Sequence, residues 1–240
     1  MFCYLCGIIL KGDKMYKYET HMHTCPVSRC AVADVKESLE FYKKMGYDGV
    51  FITNHFLDGN INIDKEKTYE EKIDFYFSDF EKGLEIGKNL GIKVFCGIEL
   101  SYGGTDFLVY GLDKKWFLEH PEIMKMKKSD ELAFMMESKA LVIQAHPYRE
   151  ASYIDHIRLF PRCVHGVEVV NACRSDMENK MAKIYAEHYS LIEFAGSDNH
   201  SGSRQNKLAG ICCEEPVCSV EDFIDKVKHH KTKIFTITNE

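Results

Sequence analysis

The sequence predicts an α/β protein in which a mostly parallel sheet of about seven or eight strands closes into a barrel. Strand and helix patterns alternate along the whole chain, as in folds whose helices connect successive parallel strands. Polar residues that can bind metals follow several of the apolar strands. In α/β barrels the carboxyl ends of the strands form the active face, so this placement favours a barrel over an open sheet.

The first predicted strand leads into the segment Thr20–Thr24, which reads Thr-His-Met-His-Thr. Alternate side chains of a strand point to the same face, so His21 and His23 are expected to project side by side. Two imidazoles at that spacing can share one metal ion. A His-x-His pair is common by chance, so a metal site also requires ligands from the rest of the chain.

The remaining elements follow from hydrophobic periodicity. A period of 3.6 residues predicts helices at 35–45, 69–90, 129–138, 176–188 and 220–230. Short apolar and β-branched runs predict strands at 49–53, 92–98, 106–110, 141–145, 166–170, 191–195, 208–212 and 233–237. No linker, repeat or low-complexity segment interrupts them. The sequence therefore predicts one domain over 15–240, preceded by an N-terminal appendage at 1–14 if the natural start is Met15.

Composition limits the classes of partner. Hydrophobic residues make up 45% of the chain, enough for a large core, and the formal net charge is −6. An acidic balance argues against binding to long nucleic acid, which normally requires a basic surface. The apolar run at 2–10 is too short to span a membrane, and no membrane partner is expected. The sequence gives no indication of an oligomeric state.

The ten cysteines lack the spacing of a disulfide scaffold. A chain of this length has a core without cross-links, so reduced thiols in a cytoplasmic protein are predicted. Cys3 and Cys6 form one Cys-x-x-Cys pair, but a structural zinc site usually needs a second pair. We therefore expect these two cysteines to be incidental.

Imidazoles and carboxylates collect at the predicted strand ends. The candidate metal ligands are His21, His23, His55, Glu99, His146, Asp198 and His200. These groups exceed the inner sphere of one ion, and imidazole with carboxylate suits Zn²⁺, Mn²⁺ or Fe²⁺. Glu99, in the middle of the set, can bridge two ions, and two neighbouring ions can clamp a phosphoryl group and activate water.

Five motifs in order resemble those of the PHP (polymerase and histidinol phosphatase) family. They are Thr-His-Met-His-Thr, Ile-Thr-Asn-His, Gly-Ile-Glu, Ala-His-Pro and Gly-Ser-Asp-Asn-His, and the likeness spans about 16–211. The resemblance implies a distorted seven-stranded β/α (TIM-like) barrel, two or three divalent metal ions and phosphoesterase chemistry, in which hydroxide formed at the metal attacks phosphorus.

The resemblance also implies roles for individual residues. One ion would be bound by His21, His23, Glu99 and Asp198, and a second by Glu99 and His146. The remaining imidazoles, His55 and His200, would bind a third ion or transfer a proton to the leaving group.

Three departures from the family pattern concern the metal ions. Asn54 stands where the family usually has an aspartate, and Arg29 where trinuclear relatives carry a histidine six residues after the His-x-His pair. The segment 111–113 also lacks a histidine that such relatives tend to have. The sequence therefore predicts two tightly held ions and leaves the third uncertain.

Arginines near these motifs are candidates for binding a small phosphorylated substrate, because a guanidinium matches phosphate geometry. Arg29, Arg149 and Arg204 are the predicted substrate-binding residues, and Arg174 is a further candidate. Glu168 is expected to be structural.

Two other functions remain open from the sequence. An amidohydrolase-type enzyme also begins with His-x-His on a barrel strand and ends with an aspartate. A metal-stabilised regulatory domain without catalysis is the other alternative. The central glutamate and the terminal Asp-x-His favour the phosphoesterase, acting on a small metabolite or a nucleotide.

Overall fold

The structure, a computed structural model, describes residues 14–239. The predicted appendage lies outside the described residues except for Lys14, and so does the Cys3–Cys6 pair. Among the described residues, no helix is both long enough and apolar enough to cross a membrane.

The strands form one mixed sheet that curves into a barrel. In chain order they are Tyr16–Met22 (β1), Gly49–Ile52 (β2), Lys93–Tyr102 (β3), Thr105–Tyr110 (β4), Leu141–Ala145 (β5), Gly166–Asn171 (β6), Ile192–Gly196 (β7), Lys207–Cys213 (β8) and Lys233–Thr238 (β9). Their order in the sheet is β7-β6-β5-β4-β3-β2-β1-β8-β9. The predicted α/β barrel is confirmed, but the described residues contain nine strands where about seven or eight were expected.

Half of the strand pairs are antiparallel, so the expectation of a mostly parallel sheet was wrong. The neighbours β1–β2–β3 and β5–β6–β7 are parallel, whereas β4 is antiparallel to both β3 and β5. Gly103 and Gly104, with φ of 56° and 88°, form a tight turn between β3 and β4. A connection this short allows only a hairpin, because a parallel pair needs a long crossover.

Within residues 14–239, six α-helices surround the sheet, and five of them were predicted. They are Val35–Lys44 (α1), Tyr69–Leu90 (α2), Lys114–Glu119 (α3), Lys128–Glu137 (α4), Asp176–Tyr189 (α5) and Val220–Lys228 (α6). Helix α2 begins at a capping box of Thr68 and Glu71 and ends at Gly91, whose φ is 67°. These end signals explain why its predicted bounds are the observed ones. The short helix α3 was missed.

The inside of the barrel is apolar at one end and polar at the other. At the amino end of the parallel strands, Phe51 packs on Phe95 and on Phe223 of α6, with ring centroids 4.8 and 4.2 Å apart. The sheet closes where the backbone N–H of His23 donates to the carbonyl of Asn199 at 2.8 Å. This contact brings the His-x-His segment of β1 beside the segment that follows β7.

His165 adds a pH dependence to the stability of this fold. Burial and the nearby Lys228 lower the pKa of His165 to about 4, from an ordinary value of 6.5. Between these values the unfolded imidazole binds a proton that the folded one does not, so acid favours unfolding. We expect the free energy of unfolding to fall by about 1–2 kcal/mol as the pH decreases through this window.

Urea unfolding at about pH 7 and about pH 5 measures this effect. The fall in the free energy of unfolding between these pH values should be smaller in His165→Asn than in wild type. It should equal the wild-type fall in His188→Asn, which alters an exposed imidazole on α5. Equal losses in wild type and His165→Asn would contradict the assignment.

Candidate metal centre

The fold brings all seven predicted ligands into one cluster, which is buried except for the partly exposed His200. They lie at the end of β1 (His21, His23), after β2 (His55), within β3 (Glu99), after β5 (His146) and after β7 (Asp198, His200). Glu99 was expected to end its strand. Instead β3 continues to Tyr102 because its last residues pair with β4. The assignment of these residues as ligands stays a prediction, and their geometry can be compared with what a metal requires.

The carboxylate of Glu99 lies at the centre of the cluster. Its Oε1 is 3.1 Å from Nε2 of His21 and 3.4 Å from Nε2 of His146. Its Oε2 is 2.5 Å from Nδ1 of His55 and 3.6 Å from Nε2 of His23. The two oxygens thus face different pairs of imidazoles, as a carboxylate that bridges two ions would.

Asp198 completes one side of the cluster. Its Oδ1 lies 3.5 Å from Nε2 of His21, 3.4 Å from Nε2 of His23 and 3.4 Å from Nδ1 of His200. Its φ is 54°, and that of His146 is 24°. Non-glycine residues rarely adopt such backbone conformations, and where they do the strain often marks a functional site.

Several buried polar atoms of the cluster are unpaired, which tests whether a metal would fit. Nε2 of His23 and both ring nitrogens of His146 have no hydrogen-bond partner among residues 14–239. Each unpaired buried polar group costs about 1–3 kcal/mol. Three sets of side chains place one ligand atom each within 4.8 Å of the others: His21–His23–Asp198, His21–Glu99–His146 and His23–His55–His200. Nitrogen and oxygen donors so arranged fit divalent transition metals.

The charge states of Glu99 and His23 suit metal binding, whereas nearby carboxylates raise the pKa of His21 and of His55 against the effect of burial. Although burial would raise the pKa of Glu99, the neighbouring imidazoles, foremost His55 and His23, lower it well below its usual range. Burial and the nearby His200 and His55 lower the pKa of His23. A carboxylate that stays ionised and an imidazole that stays neutral are the forms that bind metals.

Glu168 orients two of the candidate ligands, His21 and His146. Its Oε1 is 2.9 Å from Nδ1 of His21, and its Oε2 accepts hydrogen bonds from the backbone N–H of His146 and from Nδ2 of Asn171. A carboxylate on Nδ1 fixes the ring so that Nε2 is the atom presented to a metal. Gly196 permits this approach, because a Cβ there would lie 2.4 Å from Cβ of His21.

Sequence reasoning missed Glu19, which supports a bulge in β1. Glu19 and Met22 pair with Val50 and Ile52, so β1 has one more residue than β2 between these points. The bulge turns His21 inward and leaves backbone N–H groups of β1 without a strand partner. Oε1 of Glu19 accepts from the N–H groups of Thr20 and His21 at 3.0 and 2.9 Å.

The same carboxylate reaches across to β7. Oε1 of Glu19 accepts from the N–H of Ser197 at 2.9 Å, and its Oε2 accepts from the hydroxyl of Ser197. Glu19 therefore joins the backbone beside His21 to the backbone beside Asp198. An acidic residue inside the predicted strand, two positions before His21, was the signal that could have found it.

Two arginines flank the cluster. NH2 of Arg149 is 3.1 Å from Oδ2 of Asp106, a buried carboxylate that sequence reasoning also missed. NH2 of Arg174 is 3.9 Å from Oδ2 of Asp198. The Nε atoms of both arginines are buried and have no hydrogen-bond partner within the described part of the chain.

The other two predicted arginines lie apart from these. Arg29 is exposed and lines a surface groove with Leu57 and Tyr69, and Arg204 is exposed in the short 3₁₀ turn Gly202–Arg204. Neither forms an ion pair with the cluster within residues 14–239. Their assignment as substrate-binding residues stays a prediction.

Comparison with solved structures shows which proteins share this barrel. The chain matches a two-domain protein from Bacteroides vulgatus ATCC 8482 that contains a predicted PHP-like metal-dependent phosphoesterase, at 14% identity and a TM-score of 0.64, over 92% of this chain and 65% of that one. A protein from Bifidobacterium adolescentis ATCC 15703, described as a metal-dependent phosphoesterase, matches at 12% identity and 0.53, over 88% and 95%. The chain has a PHP-type barrel fold.

The PHP-type barrel is shared with a further class of protein. An amidohydrolase from Chromobacterium violaceum, with bound sulfate and no metal, matches at 13% identity and a TM-score of 0.55, over 90% of this chain and 97% of that one. No protein-family model matches the chain, and no curated protein matches it by sequence. At these identities the comparison confirms the fold inferred from the five motifs.

Proposed function

We propose that this chain is a metal-dependent hydrolase that cleaves the phosphate ester of a small metabolite or nucleotide. The observation that carries the proposal is the pair of guanidinium groups, Arg149 and Arg174, beside the buried imidazole–carboxylate cluster. Buried guanidinium nitrogens without partners fit a dianionic ligand, and phosphate oxygens match the geometry of arginine. Two of the structural neighbours are described as metal-dependent phosphoesterases, and the amidohydrolase holds sulfate, a tetrahedral anion like phosphate.

The proposed reaction gives the residues of the site three different roles. His21, His23, Glu99, His146 and Asp198 would hold two ions, which when bound lower the pKa of water and offset charge on the phosphoryl group. Arg149 and Arg174 would bind the non-bridging phosphoryl oxygens and keep phosphorus in place for attack. Glu168 and Glu19 fix the ligands, so little reorganisation is needed during the reaction.

The test is hydrolysis by purified protein loaded with Mn²⁺ or Zn²⁺. We expect phosphate release from an aryl phosphate or from members of a panel of phosphorylated metabolites, with loss on chelation and recovery when metal is restored. Protein that contains metal but is inert on aryl phosphates, phosphodiesters and the metabolite panel would contradict the proposal.

Replacing Arg149 by alanine should slow hydrolysis, because the phosphoryl group of the substrate would be bound less well. We expect kcat/KM to fall by about 10- to 100-fold, because hydrogen bonds to a charged group contribute about 1.5–3 kcal/mol. Steady-state kinetics should show this loss with unchanged metal content. The control is Arg162→Ala, which alters an exposed arginine in the same loop between β5 and β6. If both variants behave alike, Arg149 does not bind the phosphate.

An amidohydrolase activity is the second candidate, because one structural neighbour is an amidohydrolase. Such an enzyme needs no pair of cations for a dianionic group, so Arg149→Ala would leave amide and carboxylic ester hydrolysis largely unchanged. Assay of the same preparation on amides and carboxylic esters separates the two activities. Metal-loaded protein inactive in both assays would favour the regulatory domain.

A further inference from the structure

Cys30 lies at the mouth of the metal cluster, against two of its imidazoles. Its Sγ is 3.2 Å from Nε2 of His55, and it also contacts the side chain of His200. Sulfur and nitrogen ligands of one tetrahedral zinc ion lie about 3.6 Å apart, given bond lengths of about 2.3 and about 2.0–2.1 Å. The observed spacing is close to that value. The side chain of Arg29, the preceding residue, instead lines a groove on the surface.

His55 and His200 are oriented as ligands on the side of the cluster where Cys30 lies. Nδ1 of His200 donates to the backbone carbonyl of Asp198 at 2.9 Å, so in the neutral imidazole Nε2 is the nitrogen free to bind a metal. His55 presents Nδ1 to Glu99 and Nε2 to Cys30, so it lies between the two-ion cluster and the thiol.

A third buried imidazole, that of His23, separates this place from the two-ion cluster. Its Nε2 has no hydrogen-bond partner in the part of the chain described and faces Oδ1 of Asp198 at 3.4 Å and Oε2 of Glu99 at 3.6 Å. The ring of His23 lies 4.4 Å from that of His55 and 4.0 Å from that of His200. One ligand atom from each of these three residues lies within 4.8 Å of the others, so His55 and His200, which Cys30 contacts, lie directly beside the two-ion cluster.

We propose that Cys30, His55 and His200 bind a third metal ion, with the thiolate of Cys30 as the ligand that completes the site. The thiol releases its proton to solvent when the metal–sulfur bond forms. A thiolate with two imidazoles selects softer ions, zinc above all, over Mg²⁺ or Mn²⁺. The inference rests on the proposed metal-dependent function, and it assigns His55 and His200 to metal binding in place of proton transfer.

This site accounts for a departure seen in the sequence. Arg29 occupies the position where the PHP resemblance implies a histidine, which left the third ion without an obvious ligand. The loop after β1 brings the next residue, Cys30, to the imidazoles instead. A cysteine in an irregular loop has no periodic pattern that would reveal this contact.

The test uses Co²⁺ as a spectroscopic probe in the full-length protein. We expect wild type to bind three ions per chain and to show thiolate-to-cobalt charge-transfer absorption that saturates with the third. Cys30→Ser should lose this absorption, bind two ions tightly and hold the third about tenfold or more weakly. Elemental analysis and equilibrium dialysis give the stoichiometry and affinity.

Two other cysteines serve as matched controls. Cys173 lies beside Asp198, to whose backbone carbonyl its Sγ donates at 3.4 Å, and Cys218 is exposed beyond β8. Cys173→Ser and Cys218→Ser should both keep the absorption. Because these variants retain Cys30, they test the assignment even if Cys30→Ser folds poorly.

Failure of this inference is distinguishable from failure of the proposed function. Wild type that hydrolyses phosphate esters with two bound ions and no charge-transfer absorption overturns the third site and retains the function. Absorption that survives in Cys30→Ser overturns it as well. A protein that shows the absorption and loses it in Cys30→Ser, but hydrolyses no phosphate ester, supports the site and contradicts the function.

Discussion

Replacing Glu99 by glutamine is expected to abolish metal-dependent hydrolysis. The two carboxylate oxygens face different pairs of imidazoles, His21 with His146 and His23 with His55. Glutamine keeps one oxygen but turns an NH₂ group, which cannot bind a metal, towards the other pair. Glutamine would therefore hold two ions less well, with a loss of several kcal/mol of charge stabilisation, so kcat should fall by about 10³-fold or more.

Metal content and kinetics check this prediction together. The Glu99→Gln variant should retain fewer ions per chain than wild type after dialysis, since the buried imidazoles lose their shared anion. The matched control, Glu193→Gln, changes an exposed glutamate on β7 and should leave both metal content and rate as in wild type. Full metal content and more than a small fraction of the wild-type rate in Glu99→Gln would mean that Glu99 is not the bridge.

Replacing Glu19 by alanine should destabilise the fold and loosen the metal site together. Its carboxylate satisfies N–H groups of the bulge in β1 and the N–H and hydroxyl of Ser197. Alanine leaves these donors buried and unpaired, at about 1–3 kcal/mol for each. We expect the free energy of unfolding to drop by about 3 kcal/mol or more, a large part of a typical domain's stability.

Glutamine at position 19 separates hydrogen bonding from bulk packing. Its side-chain oxygen can still accept from the three backbone N–H groups, so Glu19→Gln should recover most of the lost stability in urea unfolding. Metal affinity should follow the same order, because Glu19 joins the backbone beside His21 to that beside Asp198. Metal affinity equal to wild type in Glu19→Ala would show that Glu19 supports the fold without positioning the ligands.

The candidate ligands could be predicted because parallel strands place their carboxyl ends together. His146 and Asp198 follow apolar runs directly, so their position at the active face required only the strand pattern. Glu99 lies in the cluster, as expected, but was wrongly placed at a strand end. The hairpin formed by Gly103 and Gly104 extends β3 past it, and such a glycine pair is a recognisable turn signal.

The supporting residues could not be read from local pattern. Glu19 acts through a bulge, and which backbone N–H groups a bulge exposes depends on the register against β2. Asp106 reaches Arg149 across 43 positions of chain, and Cys30 reaches His55 from an irregular loop. These contacts form only when the sheet has closed, so the spacing of the residues in the sequence does not predict them.

The most direct measurement for the whole account is an anomalous-scattering map from crystals of the protein grown with Zn²⁺ or Mn²⁺. We predict at least two peaks within the cluster, with the carboxylate of Glu99 between them and Asp198 bound to one. A map in which the metal lies elsewhere, or in which no peak is within bonding distance of either carboxylate, would contradict the central claim that this face of the barrel is a glutamate-bridged metal centre.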